Sequence, residues 1–234
     1  MIDLVREGDV FVLTMTAGEN RWTTEFTRAM AAALDTVEAS EGAAALITAS
    51  ADPKFFSNGL DLDWLSSDGV HAGGDRAVFG QEFMALMARI ITFPMPTIAA
   101  VGGHGFGAGC MLALCHDLRV MREDRGYLCA NEIELGMSIP DAELALFRHK
   151  LSAPVFHETV VLARRWAGPA ALDAGIVQHL ASADQVVSVA TARAGELARL
   201  GANRTAMAQL KESLYGTKSA IQGEDGPAHR LRHR

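Results

Sequence analysis

AAVGGHGFGAGCMLALCHDL, residues 99–118, is the stretch that decides the fold of this chain. It begins as a buried strand, passes through a turn dense in glycine and continues as an apolar helix. FFSNGLDL, residues 55–62, repeats the same order of strand, glycine turn and helix. Two such turns can direct two backbone N–H groups to one point, which is the arrangement of an oxyanion hole. The pair predicts an enzyme that acts on a carbonyl compound.

The segments on either side of these turns alternate between short apolar strands and amphipathic helices. This order favours an α/β fold with parallel strand pairing. The sequence predicts strands over 10–15, 43–48, 96–101, 118–121 and 127–129, and helices over 25–37, 75–91 and 107–115.

After Pro140 the pattern is only helical. Helices are predicted over 142–150, 153–166, 169–174, 183–200 and 205–215, while residues 224–234 are polar and basic and are expected to be frayed. We therefore predict an α/β core over residues 1–165 and a C-terminal helical region over residues 166–234, which together form one functional unit. In many such folds the helical region packs on a neighbouring subunit.

The composition argues against several classes of function. The 234 residues are 49% hydrophobic and carry a net charge of −7, which allows one sizeable core and argues against a nucleic-acid partner. The first residues, MIDLVREGDV, lack the basic and apolar regions of a secretory signal. Cys110, Cys115 and Cys129 show no CxxC spacing and are typical of reduced thiols, so a cytoplasmic location is expected.

The most apolar stretch, residues 98–114, is crowded with glycine and interrupted by His104. Glycine at this density suits close backbone approach, so no membrane span is expected. His104 is expected to be structural, because no GxSxG nucleophile motif is present. No His, Cys and Asp residues have metal-ligand spacing, and the dinucleotide fingerprint lacks its acidic partner, so neither a metal nor a cofactor is expected.

Four segments together resemble the crotonase family, the enoyl-CoA hydratase/isomerase superfamily. They lie at residues 55–65, 99–117, 131–140 and 168–177, and the whole resemblance covers about residues 8–215. It implies a crotonase-like spiral of repeated ββα units with a C-terminal helical region, assembled as a homotrimer or as a hexamer made of two trimers. It also implies an acyl-CoA substrate whose thioester carbonyl lies in the oxyanion hole.

In this family the two oxyanion donors are backbone N–H groups, which correspond by motif to those of Leu60 and Ala108. Family members usually have glycine at the position of Ala108, and alanine keeps the N–H group while crowding the thioester slightly. Backbone donors cost no side-chain entropy, and a helix start at Ala108 adds the positive end of the helix dipole.

The resemblance assigns the chemistry to carboxylates. Hydratases of the family carry two glutamates; here the first position holds Met111, which cannot titrate, and the second holds Glu132 in NEIELG, residues 131–136. One carboxylate without its partner is the pattern of the mitochondrial-type Δ3-Δ2-enoyl-CoA isomerases. We therefore expect an isomerase in which Glu132 moves a proton from C2 to C4, and burial should raise the pKa of Glu132.

Two other carboxylates stay open as alternative bases. Asp141 lies near the position of the catalytic glutamate in peroxisomal-type isomerases, with a spacing one residue longer, and Glu134 shares a face with Glu132 if the segment is a strand. A hydratase or another crotonase-type reaction is the alternative function within the family. The alternative of another class is a non-catalytic homologue that binds an acyl-CoA or a partner protein.

The candidates for substrate contact come from the two turns and from the first loop, which contacts CoA in the family. They are Asn20, Trp22, Lys54, Ser57, Asn58, Gly59, Asp61, Gly107 and Met111. Three of them also have a structural interpretation: Trp22 as a core aromatic residue, Lys54 as a solvated loop residue and Asp61 as a helix cap.

Overall fold

The structure, a computed structural model, describes residues 1–66, 75–217 and 224–233. Its strands are β1 (Ile2–Glu7), β2 (Val10–Met15), β3 (Ala45–Ser50), β4 (Phe55–Ser57), β5 (Thr97–Val101), β6 (His104–Phe106), β7 (Leu118–Arg122), β8 (Leu128–Cys129) and β9 (His179–Ala181). Its α-helices are α1 (Thr24–Glu38), α2 (Leu62–Ser66), α3 (Asp75–Ile91), α4 (Ala108–Cys115), α5 (Asp141–Lys150), α6 (Ala153–Val160), α7 (Gly168–Asp173), α8 (Val186–Leu197), α9 (Arg204–Tyr215) and α10 (Pro227–Arg232). Short 3₁₀ helices cover Glu132–Leu135 and Ala198–Ala202.

The strands form two sheets that the chain enters alternately. The larger sheet has the order β1-β2-β3-β5-β7-β9 and the smaller one the order β4-β6-β8. Among the described strands, all neighbours pair in parallel except β1 and β2. In each of the consecutive pairs β3/β4, β5/β6 and β7/β8, the first strand joins the larger sheet and the second joins the smaller sheet. A helical segment follows each pair. The chain therefore builds the predicted spiral of ββα units.

Most elements lie where the sequence predicts them. The helix predicted over 75–91 has the bounds of α3, and Thr23 caps α1 by accepting a hydrogen bond of 3.2 Å from the Phe26 N–H. The strands β1, β6 and β9 were not predicted, and β6 lies within the stretch that was predicted to be a glycine turn. Most side chains of β1 are exposed at the sheet edge, and β9 has only three residues, so neither carries a clear apolar pattern.

The helix predicted over 153–166 is wrong in its second half. Helix α6 ends at Val160, and Ala163 has a φ of +46°, a left-handed conformation that interrupts an α-helix. Trp166 instead exchanges two backbone hydrogen bonds with Leu128, of 3.0 and 3.1 Å. The end of this segment therefore joins the edge of the smaller sheet.

The prediction of a frayed end over 224–234 is also wrong for the described residues 224–233; Arg234 lies outside them. Helix α10 buries Pro227, Ala228 and Leu231 where it contacts α3 and α5. These three apolar residues are few among basic neighbours, but helical spacing places them on one face. That face is sufficient to dock the end of the chain on the core.

Helix α8 covers one face of the larger sheet with a stripe of small residues. Val186, Ala190 and Ala194 recur every fourth residue and are almost fully buried against β3, β5 and β7. Small side chains let the helix approach the sheet closely. This part of the C-terminal region thus belongs to the core it covers, whereas the division at residue 165 and the role in subunit packing stay predictions.

Helix α4 is at the centre of the molecule. All eight of its residues are buried, as expected of a helix that is apolar on every side. The three cysteines, two of them on α4, are free and buried. None of the described helices is long and apolar enough to cross a membrane. The apolar stretch 98–114 contains most of β5, all of β6 and most of α4.

Buried polar groups close the C-terminal end of α4. The His116 carbonyl accepts hydrogen bonds from Arg119 Nη1 at 2.9 Å and from Lys150 Nζ at 3.3 Å, so cations meet the negative end of the helix dipole. The fully buried His116 ring lies 2.8 Å from the Leu112 carbonyl through Nδ1 and 2.8 Å from the Thr48 hydroxyl through Nε2. Because a carbonyl only accepts, Nδ1 carries the proton and Nε2 accepts from Thr48 in the neutral ring.

We expect the protein to lose stability below pH 6.5 because of this ring. Burial lowers the pKa of His116 from 6.5 to about 4, helped by Arg119 and Lys150 and opposed by the Leu112 carbonyl and Asp117. Between these values the unfolded chain binds a proton that the folded chain excludes. The free energy of unfolding should therefore decrease as the pH is lowered from 6.5 to about 4. His116 alone should account for about 3 kcal/mol of this decrease. Denaturant titrations from pH 4 to 7 measure it.

The His116→Asn variant is the matched control for this experiment. His104 and His149, whose pKa values burial also lowers, remain in both proteins, so the difference between the two pH profiles isolates His116. Parallel profiles for wild type and variant would contradict the prediction.

Candidate active site

The first glycine turn is held against the loop that follows β2. The Asn58 N–H donates to the Glu19 carbonyl at 2.9 Å, and the Trp22 N–H donates to the Gly59 carbonyl at 2.9 Å. Gly59 has a φ of +78°, a conformation that favours glycine. Within the described residues, the next N–H group, that of Leu60, donates to no acceptor. The turn therefore leaves one backbone donor available.

The second turn leads directly into α4. Gly107 has a φ of +50° and donates from its N–H to the Cys129 carbonyl at 2.9 Å, while its own carbonyl accepts from the Met111 N–H at 3.0 Å. Ala108 is the first residue of the helix, so its N–H has no intrahelical acceptor and lies at the positive end of the dipole. This is the second available donor.

The two turns touch each other at Gly59. A methyl group on Gly59 would lie 2.9 Å from the Phe106 carbonyl oxygen and 3.7 Å from the Ala108 nitrogen. A methyl group on Gly109 would collide with the Ser57 carbonyl oxygen. Glycine is therefore needed at both positions for this approach, and the structure brings the predicted donors of Leu60 and Ala108 to one place.

The donors face a cavity of about 210 Å³. Three chain segments and the first loop supply its wall, which combines backbone of both turns with apolar side chains. The lining residues are Arg21, Asn58, Gly59, Leu60, Leu62, Phe106, Gly107, Ala108, Asn131, Glu132, Leu135 and Met137.

Glu132 supplies the one carboxylate among these lining residues of the described chain. It begins a 3₁₀ helix, and its Oε1 lies 3.0 Å from the position that a methyl group on Gly107 would occupy. Its Oε2 is buried and has no hydrogen-bond partner within the described residues. Burial raises the pKa of Glu132 above its ordinary value of 4.5, in the direction that the sequence predicted. One oxygen of the carboxyl group therefore lies beside the second turn without a partner in the described chain.

The two alternative carboxylates lie elsewhere. Glu134 is exposed and forms an ion pair of 3.0 Å with Arg165. It points away from Glu132, because residues two apart on a 3₁₀ helix point in different directions. Asp141 is the exposed first residue of α5 and lines a separate surface cleft with Arg148 and Arg230. The structure brings neither side chain to the cavity.

Several residues predicted to contact substrate have internal partners instead. Asn20 is fully buried and binds the Ala17 N–H, the Ser50 hydroxyl and the Phe56 carbonyl with its amide. The buried Ser57 hydroxyl donates to the Asn20 carbonyl at 2.8 Å. These two side chains fix the turn from behind, and the structure does not place them on the cavity wall.

The remaining predicted contacts divide between core, surface and wall. Trp22 packs edge-on against Phe83 in the core, and Met111 is fully buried within α4. Lys54 is exposed, with its ammonium group 4.7 Å from the centre of the Phe55 ring. Asp61 caps α2 by accepting from the Trp64 N–H at 2.9 Å. Of the nine predicted contact residues, the wall contains Asn58, Gly59 and Gly107.

Sequence reasoning missed several wall residues, above all Arg21. Its Nε donates to Glu19 at 2.8 Å, and its terminal amino groups have no acceptor within the described residues. A charged residue between Asn20 and Trp22 in a loop expected near the substrate was the available signal. Leu135 and Met137 gave no signal of this kind, because isolated apolar residues after a motif are common. His104, expected to be structural, stacks on Phe106 with ring centres 5.1 Å apart.

The described residues include no group of three His, Cys, Asp or Glu side chains placed to hold a metal ion.

Comparisons with known proteins agree with this geometry. A family model described as enoyl-CoA hydratase/isomerase matches residues 6–227. The chain is 34% identical to enoyl-CoA delta isomerase 2, peroxisomal, of Arabidopsis thaliana over 229 residues, 95% of either protein. It is 32% identical to enoyl-CoA delta isomerase 3 of the same plant over 92% of either protein. The apo structure of an enoyl-CoA isomerase of Mycobacterium tuberculosis superposes on this chain with a TM-score of 0.80 and 26% sequence identity. The match covers 99% of this chain and 94% of the mycobacterial chain. The fold is thus crotonase-like, with a C-terminal helical region.

The raised pKa of Glu132 is directly measurable by carbon NMR of the glutamate carboxyl groups. We expect its resonance, assigned with the Glu132→Gln variant, to titrate above 4.5 because burial disfavours the charged form. Glu19 should titrate below 4.5, because hydrogen bonds from Asn58 and Arg21 favour its charged form. A Glu132 signal that titrates at or below 4.5 would contradict the prediction.

Proposed function

The chain belongs to the enoyl-CoA hydratase/isomerase family, and from that premise we propose an enoyl-CoA isomerase that shifts a double bond with one carboxylate, that of Glu132. The observation that carries this proposal is the composition of the cavity wall. Among its described residues one carboxylate and two free backbone donors occur together, with apolar side chains around them. Hydration of a double bond usually needs a second acid–base group to activate water, whereas a double-bond shift needs one group that moves a proton.

The reaction begins with the thioester oxygen accepting from the N–H groups of Leu60 and Ala108. The Glu132 carboxylate removes a proton from C2 of a 3-enoyl-CoA. The electron pair of that C–H bond enters the C1–C2 bond, and the carbonyl electrons move to oxygen, which gives a dienolate. Each donor that binds the oxyanion can contribute about 3 kcal/mol to stabilising the transition state.

The second half returns the same proton to C4. The oxygen electrons re-form the carbonyl, the double bond moves to C2–C3, and Glu132 becomes a carboxylate again. Its raised pKa favours the protonated state between the two steps, and its Oε2 has no competing protein partner in the described chain. No atom is gained or lost, so this route requires no further cofactor.

The acyl-CoA substrate agrees with the family, and Arg21 supports it by placing a cation on the wall near the turn. Assembly as a homotrimer or as a dimer of trimers stays a prediction, which sedimentation of the purified protein would test. Of the two plant relatives named above, isomerase 2 is peroxisomal by name, so the expected cytoplasmic location also stays a prediction.

Replacing Glu132 tests the proposal most directly. We expect Glu132→Gln to lower kcat for a 3-enoyl-CoA by about a thousandfold and to leave binding of a saturated acyl-CoA unchanged, because the amide cannot remove a proton. The matched control is Glu134→Gln, two residues along on the exposed face, which should retain full activity. Absorbance follows the double-bond shift, and mass spectrometry follows any addition of water.

Other outcomes of this experiment would reject the proposal. Addition of water to a 2-enoyl-CoA would indicate a hydratase, and loss of activity in Asp141→Asn would identify a different base. Tight binding of the CoA ester without turnover would indicate a non-catalytic homologue.

Gly107→Ala should damage the site without breaking the fold. The new methyl group would lie 3.0 Å from Glu132 Oε1, so the carboxylate would have to shift slightly, and we expect kcat to fall by about tenfold. Gly8→Ala is the control, because Gly8 has a similar φ of +61° but open space around it. Both variants should lose similar stability, about 1 kcal/mol, in thermal unfolding. Equal kcat values for the two would contradict the predicted contact.

A further inference from the structure

Glu19 belongs to the loop between β2 and α1 and takes no part in the proton transfer described above. We propose that Glu19 is a positioning residue, which holds the turn at Asn58 and Gly59 so that the Leu60 N–H points at the substrate oxygen. The inference rests on the proposed function and adds to it the group that fixes the first donor.

The contacts of Glu19 converge on the residue that opens the turn. Its Oε2 accepts from Asn58 Nδ2 at 2.8 Å, and its backbone carbonyl accepts from the Asn58 N–H at 2.9 Å. Asn58 is therefore held both by its side chain and by its main chain. Three residues further along each segment, the Asp61 N–H donates to the Trp22 carbonyl at 3.1 Å. The donor of Leu60 lies between these two attachments.

Arg21 holds the Glu19 carboxylate in place. Its Nε donates to the same Oε2 at 2.8 Å, so two donors fix one oxygen atom. These hydrogen bonds, that from Asn58 first, lower the pKa of Glu19 below its ordinary value of 4.5, which keeps the group charged at neutral pH. A charged acceptor forms stronger hydrogen bonds than a neutral one.

Global stability does not account for this arrangement. The Glu19 side chain is 41% exposed and its Arg21 partner 40% exposed, and ion pairs of this exposure contribute little to the free energy of unfolding. By contrast, a displacement of a reacting or binding group by about 1 Å can lower a rate a hundredfold. Gly59 adjoins the donor and lacks a side chain that could restrict the turn. The contacts of Glu19 with Asn58 are therefore expected to affect the reaction rate more than the stability of the fold.

The test compares Glu19→Ala, Glu19→Gln and Asn58→Ala with wild type. We expect Glu19→Ala and Asn58→Ala each to lower kcat for a 3-enoyl-CoA about tenfold, and Glu19→Ala, whose side chain is not on the cavity wall, to leave binding of butyryl-CoA unchanged. The double variant should lose no more than either single variant, because both remove one contact. Glu19→Gln should recover most of the rate, since its amide oxygen still accepts from Asn58. Glu196→Ala, which removes an exposed glutamate paired with Arg193, is the control that should match wild type.

A second readout reports on the oxyanion hole without turnover. Acetoacetyl-CoA forms an enolate whose near-ultraviolet absorbance grows when donors stabilise the negative oxygen. We expect this absorbance to decrease in Glu19→Ala and to be restored in Glu19→Gln, with the melting temperature unchanged. Full enolate absorbance and full kcat in Glu19→Ala would overturn the proposal, as would losses that add in the double variant.

The two proposals can fail separately. If wild type binds acetoacetyl-CoA as the enolate but isomerises no 3-enoyl-CoA, the proposed function fails while the Glu19 variants still test the donor position. If wild type isomerises and Glu19→Ala behaves identically, the positioning role alone is rejected.

Discussion

The site depends on the close approach of two backbone turns with no side chain between them. Gly59 lies so close to the Phe106 carbonyl oxygen that a Cβ would be only 2.9 Å from it, and the Ala108 nitrogen lies nearby. Gly109, the second residue of α4, makes the same demand, because a methyl group there would collide with the Ser57 carbonyl oxygen. Only this approach lets donors from two separate ββα units meet at one oxygen. The two sheets, each extended by one strand per unit, hold the turns at that distance.

Helix α4 connects this site to the polar cluster on the far side of the core. Its first N–H groups face the cavity, while the carbonyl at its other end accepts hydrogen bonds from Arg119 and Lys150. In the proposed mechanism both ends of the dipole would thus meet opposite charge, the developing oxyanion at one end and two cations at the other. Since every residue of α4 is buried, neither solvent nor salt screens these interactions strongly. The helix contributes a fixed field that needs no rearrangement during reaction.

The backbone part of the site could be predicted from the sequence, and much of the cavity wall could not. Glycine turns between a strand and a helix are local patterns, so they predicted Leu60 and Ala108 as donors, and the structure places both residues on the wall of one cavity. Glu132 also followed a local motif. By contrast, Asn20 and Trp22 lie in the same loop as Arg21, and only the tertiary packing decides that Arg21 faces the cavity while its neighbours face inward. The end of α6 depended similarly on one left-handed residue, Ala163, which no pattern of apolar residues reveals.

The burial of the Glu132 carboxyl group bears on whether the proposed reaction is a double-bond shift or a hydration. A carboxylate in water is a weak base, and desolvation strengthens it by disfavouring its charged form. Desolvation also removes the water molecules that would compete with the substrate carbon for the proton. A second carboxylate nearby would activate a water molecule, but among the described residues the wall offers apolar neighbours such as Leu135 and Met137 instead. In the proposed mechanism the proton on Glu132 has one productive destination, the other end of the dienolate, so the burial that raises the basicity of the group would also favour a double-bond shift over hydration.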